Sequence, residues 1–405
     1  MNYPDTLQWM YAQLPMYQRQ GKQAFKKDLN NILLLDKHLG FPSQKIKTIH
    51  IAGTNGKGSV SHMLASVWQE AGYKTGLYTS PHLKDFRERI RINGQMIRKN
   101  CVINFIKRNQ KFLQENHLSF FEMTVGMAFE YFAKKKVDIA VIETGLGGRL
   151  DSTNIITPEL SVITNIGLDH TQMLGDTLEK IAFEKAGIIK ENTPVVIGRN
   201  QPEIRPVFEK IAREKKSPLF YATAVNTEDY PSVLKGNYQK ENIATVLKAI
   251  EILRTRGYRL TEENIRNGLL KVIENTGLRG RWDVLQTSPL VIADTAHNQD
   301  GLQFVVQQLQ DLDYQQLHMI LSVVNDKDLD KILPLFPKEA KYYFSKANIP
   351  RGLDAEVLRQ KAKLYGLRGK TYTSVQKAYQ SALQSAAADD VVFVGGSTFT
   401  VAEVL

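Results

Sequence analysis

One stretch, IHIAGTNGKGSVSHMLASVWQEAG at residues 49–72, limits the possible folds of this chain more than any other. The residues Thr48–Ala52 alternate and are rich in β-branched side chains, which predicts a β-strand. Gly53, Gly56 and Gly58 follow at once, and glycine lets a backbone turn sharply and approach a ligand closely. The apolar residues after these glycines recur at helical spacing, so the stretch predicts a strand, a glycine-rich loop and a helix.

The loop is similar to a phosphate-binding loop but departs from the common pattern G-x-x-x-x-G-K-[ST]. Ile51 stands where that pattern has its first glycine, and Gly58 stands where it has a serine or threonine. Backbone N–H groups at a helix N-terminus attract anions, Lys57 adds a positive charge, and Ser59 offers a hydroxyl to a metal ion. An ordinary strand–turn–helix connection is the alternative. We predict a nucleotide-binding loop formed by Gly53, Thr54, Asn55, Gly56, Lys57, Gly58 and Ser59.

Composition narrows the class of protein. The 405 residues are enough for two or more domains, and a content of 42% hydrophobic and 23% charged residues is typical of a globular protein. A net charge of +11 favours anionic partners such as nucleotides, whereas the scattered basic residues do not predict a nucleic-acid surface. No apolar run approaches the roughly 18 residues of a membrane span. The N-terminal MNYPDTLQWM lacks the features of a secretory signal and the single cysteine, Cys101, suits a reducing compartment, so we expect a cytoplasmic protein.

Predicted strands and helices alternate along most of the chain, which predicts an α/β architecture with mostly parallel sheets. We expect a phosphate-loop domain at residues 1–286 and a smaller, Rossmann-like open α/β domain at residues 287–405, with the boundary near Gln286–Pro289. In the first domain the predicted strands are 74–80, 138–144, 160–166, 193–198 and 218–222, and the predicted helices are 24–39, 101–116, 121–135, 177–189, 203–216, 239–256 and 262–273. In the second domain the predicted strands are 290–296, 317–323, 340–344 and 391–397, and the predicted helices are 299–311, 328–335, 354–365 and 374–387.

Polar residues follow several predicted strands, where open α/β sheets bind their ligands. Glu143 ends one strand, and a carboxylate there can hold Mg²⁺ beside the loop, although a solvated acid is an equal alternative. Asp169 and His170 follow another strand, but a single histidine is more often structural, and Mg²⁺ prefers oxygen ligands. Asp294 ends a strand of the second domain, and an aspartate in that position can accept hydrogen bonds from a ribose.

Seven short motifs occur together in one order, and the resemblance that they carry covers nearly the whole chain. Each is modest alone, but the ordered set resembles the folylpolyglutamate synthase/dihydrofolate synthase family of the Mur ligase superfamily. The family has a loop similar to GTNGKGS, which accounts for the displaced serine. The motifs are GTNGKGS at 53–59, YTSPHL at 78–83, ETGLGGRLDSTN at 143–154, LDHTQMLGDT at 168–177, EKAGIIK at 184–190, YQKEN at 238–242 and AHNQDG at 296–301.

The resemblance implies a role for each matching position. Lys57 would contact the phosphates of ATP, while Ser59, Glu143 and His170 would hold Mg²⁺. Lys185 matches a lysine that the family carries as a carbamate, and together with Lys57 and His170 it is a predicted catalytic residue. The other matching nucleotide-binding positions are Asn242, Arg281 near the phosphates, Asp294 near the ribose, and His297.

The resemblance also implies the acceptor and glutamate sites, with one departure from the family pattern. In DTAHNQDG, Thr295 and Gln299 replace the glycine and proline of the usual DGAHNPDG, which puts the geometry of that turn in question. The predicted substrate residues are Ser80, Pro81, His82, Phe121, Asp151 and Ser397.

The turn GLGGRLDSTN is similar to the form in family members that also act on dihydropteroate. Dihydropteroate lacks the glutamate that anchors a folate, so a site that accepts it must hold the pterin. A carboxylate such as Asp151 pairs well with the ring nitrogens and amino group of a pterin. The alternative is that Asp151 pairs with Arg149 and only shapes the turn.

The implied reaction uses ATP to join a carboxylate to the amine of L-glutamate, through an acyl phosphate. The expected cofactors are ATP and Mg²⁺, with K⁺ as a further candidate. The expected partners are small substrates, namely folate or dihydropteroate, L-glutamate and ATP, with neither nucleic acid nor membrane, and we expect a monomer. Two other interpretations stay open: a cell-wall Mur ligase, whose loop normally reads GTNGKT[ST] without Gly58, and a non-enzymatic or nucleic-acid-binding protein, which the charge alone suggests.

Overall fold

The computed structural model describes residues 1–14, 28–223 and 226–405. These residues form two α/β units, and each unit is built on one mixed, mostly parallel sheet, so the predicted fold class is confirmed. The predicted helix 24–39 lies partly outside the described residues, which show a helix at Asn30–His38.

Among the described residues, eight strands form the sheet of the first unit. In chain order they are β1 (Thr48–Ala52), β2 (Thr75–Tyr78), β3 (Ile90–Ile92), β4 (Gln95–Met96), β5 (Ile139–Glu143), β6 (Leu160–Ile163), β7 (Val195–Ile197) and β8 (Leu219–Tyr221). Their order across the sheet is β4-β3-β2-β5-β1-β6-β7-β8, in which β3 runs antiparallel to both β2 and β4. β1 therefore lies between two parallel neighbours, with Ile51 opposite Glu143 of β5 and Ala52 opposite Ile163 of β6.

Helices pack on this sheet through two buried apolar clusters. In chain order the helices of the unit are α1 (Tyr3–Gln13), α2 (Asn30–His38), α3 (Lys57–Glu70), α4 (Lys99–Glu115), α5 (Phe120–Lys135), α6 (Thr171–Leu174), α7 (Leu178–Ala186), α8 (Arg205–Glu214), α9 (Gln239–Thr255), α10 (Glu262–Leu270) and α11 (Val272–Thr276). One cluster joins α4 and α5 to β2 and β5 and includes Phe105 and Phe129. The other joins α7 and α8 to β6 and β7 and includes Ile181 and Phe208.

The second unit has a smaller sheet of its own. Its strands are β9 (Asp283–Thr287), β10 (Leu290–Ala293), β11 (Leu317–Leu321), β12 (Lys341–Phe344), β13 (Gly369–Thr371) and β14 (Val391–Gly395), and its helices are α12 (Gln299–Gln310), α13 (Leu329–Ile332), α14 (Ala355–Leu364), α15 (Val375–Ser385) and α16 (Thr398–Val404). The order across the sheet is β13-β12-β11-β14-β10-β9, and β9 runs antiparallel to β10. In the described part of the chain no helix is long and apolar enough to cross a lipid bilayer.

The two compact units differ in extent from the two predicted domains. The first unit comprises residues 1–233 and 240–277, and the second comprises residues 234–239 and 278–405. The difference at the predicted boundary arises because β9 pairs with β10, with Asp283 opposite Ala293. The division into functional domains at 1–286 and 287–405 stays a prediction.

The sequence pattern located most of the longer elements, but it missed the 11-residue helix α1 and several short elements. β3, β4 and β13 have two or three residues, which is too few for a periodicity to show. The predicted helix 262–273 is two helices, α10 and α11, and the predicted helix 328–335 changes after α13 into a 3₁₀ turn at Leu333–Leu335. Pro334 in this turn has no N–H group to continue an α-helix.

The contact between α10 and α3 gives a test of the packing. A Cβ atom on Gly268 of α10 would lie 2.7 Å from Cα and 2.8 Å from the backbone nitrogen of Val67 in α3. Because backbone atoms cannot move aside as a side chain does, Gly268→Ala should destabilise the protein by about 1–3 kcal/mol, measured by urea unfolding. Asn267→Ala, at the next position of the same helix, is the control and should leave the stability unchanged or raise it by up to about 0.7 kcal/mol. Equal stability of the two variants would contradict the close approach.

Candidate active site

The loop after β1 has no room for a side chain at two of its glycines. Gly53 and Gly56 have positive φ angles of 147° and 83°, which residues with a side chain rarely adopt. A Cβ atom on Gly53 would lie 1.9 Å from Oγ1 of Thr164, and one on Gly56 would lie 2.2 Å from Oδ1 of Asn242. Both positions therefore require glycine, and the loop is a cradle of backbone atoms at the N-terminus of α3.

Two residues directly after β6 hold this loop in place. The carbonyl oxygen of Asn165 accepts a hydrogen bond from the N–H of Thr54 at 2.9 Å, and its Oδ1 accepts one from the N–H of Asn55 at 2.8 Å. The hydroxyl of Thr164 donates to the carbonyl oxygen of Asn55 at 2.5 Å. The sequence-based prediction did not include Thr164 and Asn165. A polar pair at the end of a predicted strand was the available signal, and it is the same signal that identified Glu143.

Two lysine side chains converge on one carbonyl oxygen of the loop. Nζ of Lys57 donates to the carbonyl oxygen of Gly53 at 3.0 Å and to that of Thr54 at 3.1 Å. Nζ of Lys185, at the end of α7, donates to the same Gly53 oxygen at 2.7 Å. The structure thus brings the predicted catalytic residues Lys57 and Lys185 together at the predicted nucleotide-binding loop.

Lys185 is buried, with 4% of its surface exposed, and this changes its chemistry. Burial lowers the pKa of Lys185 from 10.5 to about 7, and the positive charge of Lys57 acts in the same direction. The carboxylates of Asp169 and Asp151 act in the opposite direction. A substantial fraction of Lys185 is therefore neutral near pH 7, and a neutral amine is a nucleophile.

The predicted metal ligands come from segments that end or follow three strands of the same sheet. Glu143 ends β5 and is buried, and its Oε2 accepts a hydrogen bond from the N–H of Ser80 at 3.2 Å. Ser59 is buried in the first turn of α3. His170 follows β6 and precedes α6 with a positive φ of 51°, and its Nε2 lies 3.8 Å from Oδ2 of Asp169.

A metal site built from His, Cys, Asp and Glu alone is absent from residues 1–14, 28–223 and 226–405, where no three such side chains come close enough together to hold an ion. The predicted set contains two such side chains, Glu143 and His170, and its third member is the hydroxyl of Ser59. It therefore stays a prediction.

The loop after β5 packs against α7. The N–H of Arg149 donates to the carbonyl oxygen of Glu184 at 2.7 Å, and the guanidinium of Arg149 lies 2.8 Å from the carboxylate of Glu184. The alternative expectation that Arg149 pairs with Asp151 is therefore wrong. A Cβ atom on Gly148 would lie 2.8 Å from the carbonyl oxygen of Lys185, so the loop passes directly along the backbone of that lysine.

Asp151 holds this loop from within. One oxygen of its buried carboxylate accepts hydrogen bonds from the N–H groups of Gly145 at 2.9 Å and Leu146 at 2.8 Å. The other accepts from the N–H of Thr153 at 3.0 Å and from its hydroxyl at 2.5 Å. A carboxylate has about four acceptor positions, so these four donors use its capacity within the loop. The part of Asp151 in substrate binding stays a prediction.

The predicted acceptor residues lie around the ends of β2 and β5. The N–H of Ser80 contacts Glu143, Pro81 is exposed, and the ring of Phe121 packs against the loop after β5, where a Cβ atom on Gly145 would lie 2.4 Å from it. The sequence-based prediction did not include Arg89, the buried residue that contacts the predicted residue His82. Nε of Arg89 donates to Nδ1 of His82 at 2.8 Å, and burial together with this charge lowers the pKa of His82 to about 3. His82 is therefore a neutral hydrogen-bond acceptor.

In the second unit, the predicted ribose ligand Asp294 is held by three donors. Its Oδ2 accepts from the hydroxyl of Tyr238 at 2.6 Å and from the N–H of Trp282 at 2.7 Å, and its Oδ1 accepts from the N–H of Ala296 at 2.8 Å. Burial raises the pKa of Asp294, and these bonds and the charge of Arg281 oppose that rise.

The turn that departs from the family pattern is closed by its own residues. Arg281 donates to the hydroxyl of Thr295 and to the carbonyl oxygen of Gly280, and Nδ1 of His297 lies 2.9 Å from the carbonyl oxygen of Thr295. The threonine therefore gives Arg281 a partner that a glycine would not supply. Ser397, the predicted glutamate-site residue, is the N-cap of α16 and accepts a hydrogen bond from the N–H of Phe399 at 3.1 Å.

Comparison with known proteins covers both units. Residues 51–269 match the Mur ligase middle domain family, and residues 280–398 match the family described as Mur ligase, glutamate ligase domain. A dihydrofolate synthase/folylpolyglutamate synthase from Bacillus subtilis is 34% identical over 381 residues, which cover 86% of this chain and 86% of the relative. A probable bifunctional folylpolyglutamate synthase/dihydropteroate synthase from Haloferax volcanii is 31% identical over the whole chain, which spans 50% of the length of that relative.

Solved structures of enzymes with the same names are also similar to this chain. FolC of Escherichia coli in complex with DHPP and ADP superimposes with a TM-score of 0.88 at 29% identity, covering 100% of this chain and 97% of that one. A bifunctional folylpolyglutamate synthase/dihydrofolate synthase with Mn, AMPPNP and L-glutamate bound gives a TM-score of 0.85 at 27% identity, covering 100% and 97%. The expected resemblance is confirmed, and the chain belongs to the folylpolyglutamate synthase/dihydrofolate synthase family of ATP-dependent amide ligases.

Proposed function

We propose that this protein uses ATP to add L-glutamate to folates and also to dihydropteroate, through an acyl phosphate. The observation that carries the proposal is the convergence of Lys57 and Lys185 on the Gly53 carbonyl, at a loop where only glycine fits. Relatives that carry both activity names, and structural neighbours with ADP, DHPP or L-glutamate bound, support it. The proposal includes a monomeric, cytoplasmic enzyme that uses Mg²⁺, with K⁺ as a further candidate cation.

The residues present fit a nucleotide and a divalent cation. The cradle that a Cβ atom on Gly53 or Gly56 would fill leaves backbone atoms and Lys57 to meet phosphate oxygens. Ser59 and Glu143 offer the oxygen ligands that Mg²⁺ prefers, and His170 adds a nitrogen. When bound, the cation would neutralise negative charge on the phosphates of ATP.

The chemistry proceeds in two displacements. A carboxylate oxygen of the acceptor attacks the γ-phosphorus of ATP, the bond to the bridging oxygen breaks, and ADP leaves. The amine of glutamate then attacks the acyl carbon, a C–N bond forms, phosphate leaves, and the amine loses a proton. Such reactions depend on positioning and charge stabilisation rather than on a protein nucleophile. In this scheme Lys57 holds phosphate charge. Nδ1 of neutral His82 already accepts from Arg89, so its Nε2–H can donate to a ring nitrogen or the carbonyl oxygen of a pterin.

The remaining predicted residues complete the proposal. Asp294 binds the ribose, and Ser397 contributes to the glutamate site. Asn242, Arg281 and His297 contribute to nucleotide binding.

Substrate choice tests the function directly. ADP release with Mg-ATP and L-glutamate should depend on added dihydropteroate and on added tetrahydrofolate, and it should not respond to a UDP-muramyl peptide. A response to the muramyl peptide alone would indicate a cell-wall ligase instead. A response to tetrahydrofolate alone would remove the dihydropteroate activity from the proposal.

Removal of Lys57 tests the loop. Lys57→Ala deletes a preorganised charge at the phosphates, which typically lowers turnover by about 100- to 1000-fold. The thermal midpoint should stay close to that of wild type, because the hydrogen bonds from Lys57 to the carbonyl oxygens of Gly53 and Thr54 are local to the loop. Lys111→Ala, which removes an 85% exposed lysine on α4, is the matched control and should leave both properties unchanged. Turnover of Lys57→Ala within a few-fold of the control would refute the assignment.

The low pKa of Lys185 predicts reaction with CO₂. The neutral amine nitrogen forms a bond to carbon and releases one proton, giving a carbamate. The neutral fraction grows as pH rises through about 7, so carbamate should be more abundant at pH 8.5 than at pH 6. ¹³C NMR of the nucleotide-free protein in ¹³C-bicarbonate measures it, and Lys185→Ala is the control that should lose both the signal and turnover. A signal that persists in Lys185→Ala, or no signal in wild type at pH 8.5, would exclude the modification.

A further inference from the structure

A chain of buried side chains connects β1 to the loop after β5. His50 lies in the middle of β1 and is fully buried, and its Nε2 is 2.9 Å from the hydroxyl oxygen of Thr153. That hydroxyl donates to Oδ1 of Asp151 at 2.5 Å. The other oxygen of Asp151 holds the N–H groups of Gly145 and Leu146. Three side chains thus link the strand before the nucleotide-binding loop to the loop beside Lys185.

The donors and acceptors in the hydrogen bonds that join His50, Thr153 and Asp151 can be assigned. The carboxylate of Asp151 is an acceptor, so the single hydroxyl proton of Thr153 goes to Asp151. His50 must then donate from Nε2 to the oxygen of Thr153, which leaves its Nδ1 without a proton. Burial and the positive charge of Lys190 lower the pKa of His50 to about 3, so the ring is neutral.

A histidine at position 50 lowers the stability of the folded protein, so stability does not explain its presence there. Its Nδ1 is buried, and it has no hydrogen-bond partner in the part of the chain that the structure describes. A buried polar atom without a hydrogen-bond partner destabilises the folded state, because its lost hydration is not replaced. An apolar side chain at this position would avoid the cost, and its neighbours Ile49 and Ile51 are apolar and fully buried.

These side chains hold the loop after β5. That loop runs from Glu143 to a point beside Lys185, and the proposed function uses both residues. It begins after Glu143, a proposed metal ligand. At Gly148 it runs so close to Lys185 that a Cβ atom there would lie 2.8 Å from the carbonyl oxygen of that lysine. The backbone N–H groups that Asp151 fixes are those of Gly145 and Leu146, directly between these two points. A shift of this loop would disturb its close approach to the backbone of Lys185 and the chain path that leaves Glu143.

We propose that His50 is a positioning residue, which acts through Thr153 and Asp151 to hold the loop between Glu143 and Lys185 in the geometry that turnover requires. This inference rests on the proposed function. It assigns His50 no contact with substrate.

Substitutions at both ends of the first hydrogen bond test the proposal. Thr153→Val keeps the shape of the side chain but removes the hydroxyl. His50→Met fills the space with an extended apolar side chain and removes the Nε2–H donor. Each should lower kcat by about 10- to 100-fold, as expected for a small displacement of reacting groups. Each should also raise the Mg²⁺ concentration for half-maximal rate, while KM for ATP stays near wild type because the nucleotide-binding loop is untouched. Thr153→Ser restores the hydroxyl and should restore kcat.

A second buried histidine–threonine pair in the same unit provides a matched control. Nδ1 of His62, on α3, lies 2.7 Å from the hydroxyl oxygen of Thr276, and both residues are buried. Thr276→Val therefore removes a buried hydroxyl that contacts a histidine, away from the loop after β5. It should lower the thermal midpoint as much as Thr153→Val or more, while leaving the Mg²⁺ dependence at the wild-type value.

The tautomer of His50 gives a readout that needs no activity. Long-range ¹H–¹⁵N NMR should show one histidine, absent from the His50→Met spectrum, that carries its proton on Nε2 and stays neutral down to pH 5. A proton on Nδ1 of His50 would overturn the proposed hydrogen bond from His50 to Thr153.

The outcomes separate the two proposals. An active wild type whose kcat and Mg²⁺ dependence survive both Thr153→Val and His50→Met would overturn the role of His50 alone. So would a Thr276→Val variant that loses kcat and Mg²⁺ affinity to the same extent, since the effect would then be general destabilisation. A wild type with no folate-dependent ADP release would overturn the proposed function, and the role of His50 in turnover with it.

Discussion

The parallel hydrogen bonding of β1 to both β5 and β6 is the constraint on which the candidate site depends. It sets Ile51 opposite Glu143 and Ala52 opposite Ile163, so the loop after β1 emerges between the ends of its two neighbours. Thr164 and Asn165 can reach that loop from one side, and Glu143 ends the strand on the other side. A register slip of one residue would turn every side chain of β1 to the opposite face and separate His50 from Thr153.

The site also concentrates polar groups that a stable core would not choose. Lys185 is a buried amine, Asp151 is a buried carboxylate, and His50 has a buried ring nitrogen without a partner among the described residues. Each group costs stability unless its hydrogen bonds compensate for lost hydration. Such groups cluster where function requires perturbed chemistry, and the large apolar clusters elsewhere in the unit supply the stability that tolerates them.

The parts of this arrangement that are local in sequence could be predicted, and the parts that join distant residues could not. The strand, glycines and helix around Lys57 are contiguous, so their pattern was sufficient. Polar residues at strand ends, such as Glu143 and Asp294, followed from the general position of ligands in parallel sheets. The bond between His50 and Thr153 spans 103 positions, and nothing in either local pattern indicates it. The start of the second sheet was missed for a similar reason, because β9 is identified by its partner β10 and not by its own composition.

One feature of the chain path affects how this protein can be divided. Residues 234–239 belong to the second unit although residues on both sides of them belong to the first, so the chain passes between the units three times. Tyr238 in this segment supplies the phenol that bonds to Asp294. A fragment that begins at Leu278 would contain both sheet and helices of the second unit and still lack that hydroxyl. A transfer of residues 278–405 as one continuous piece of gene would therefore leave Asp294 without this hydrogen bond unless residues 234–239 were transferred as well.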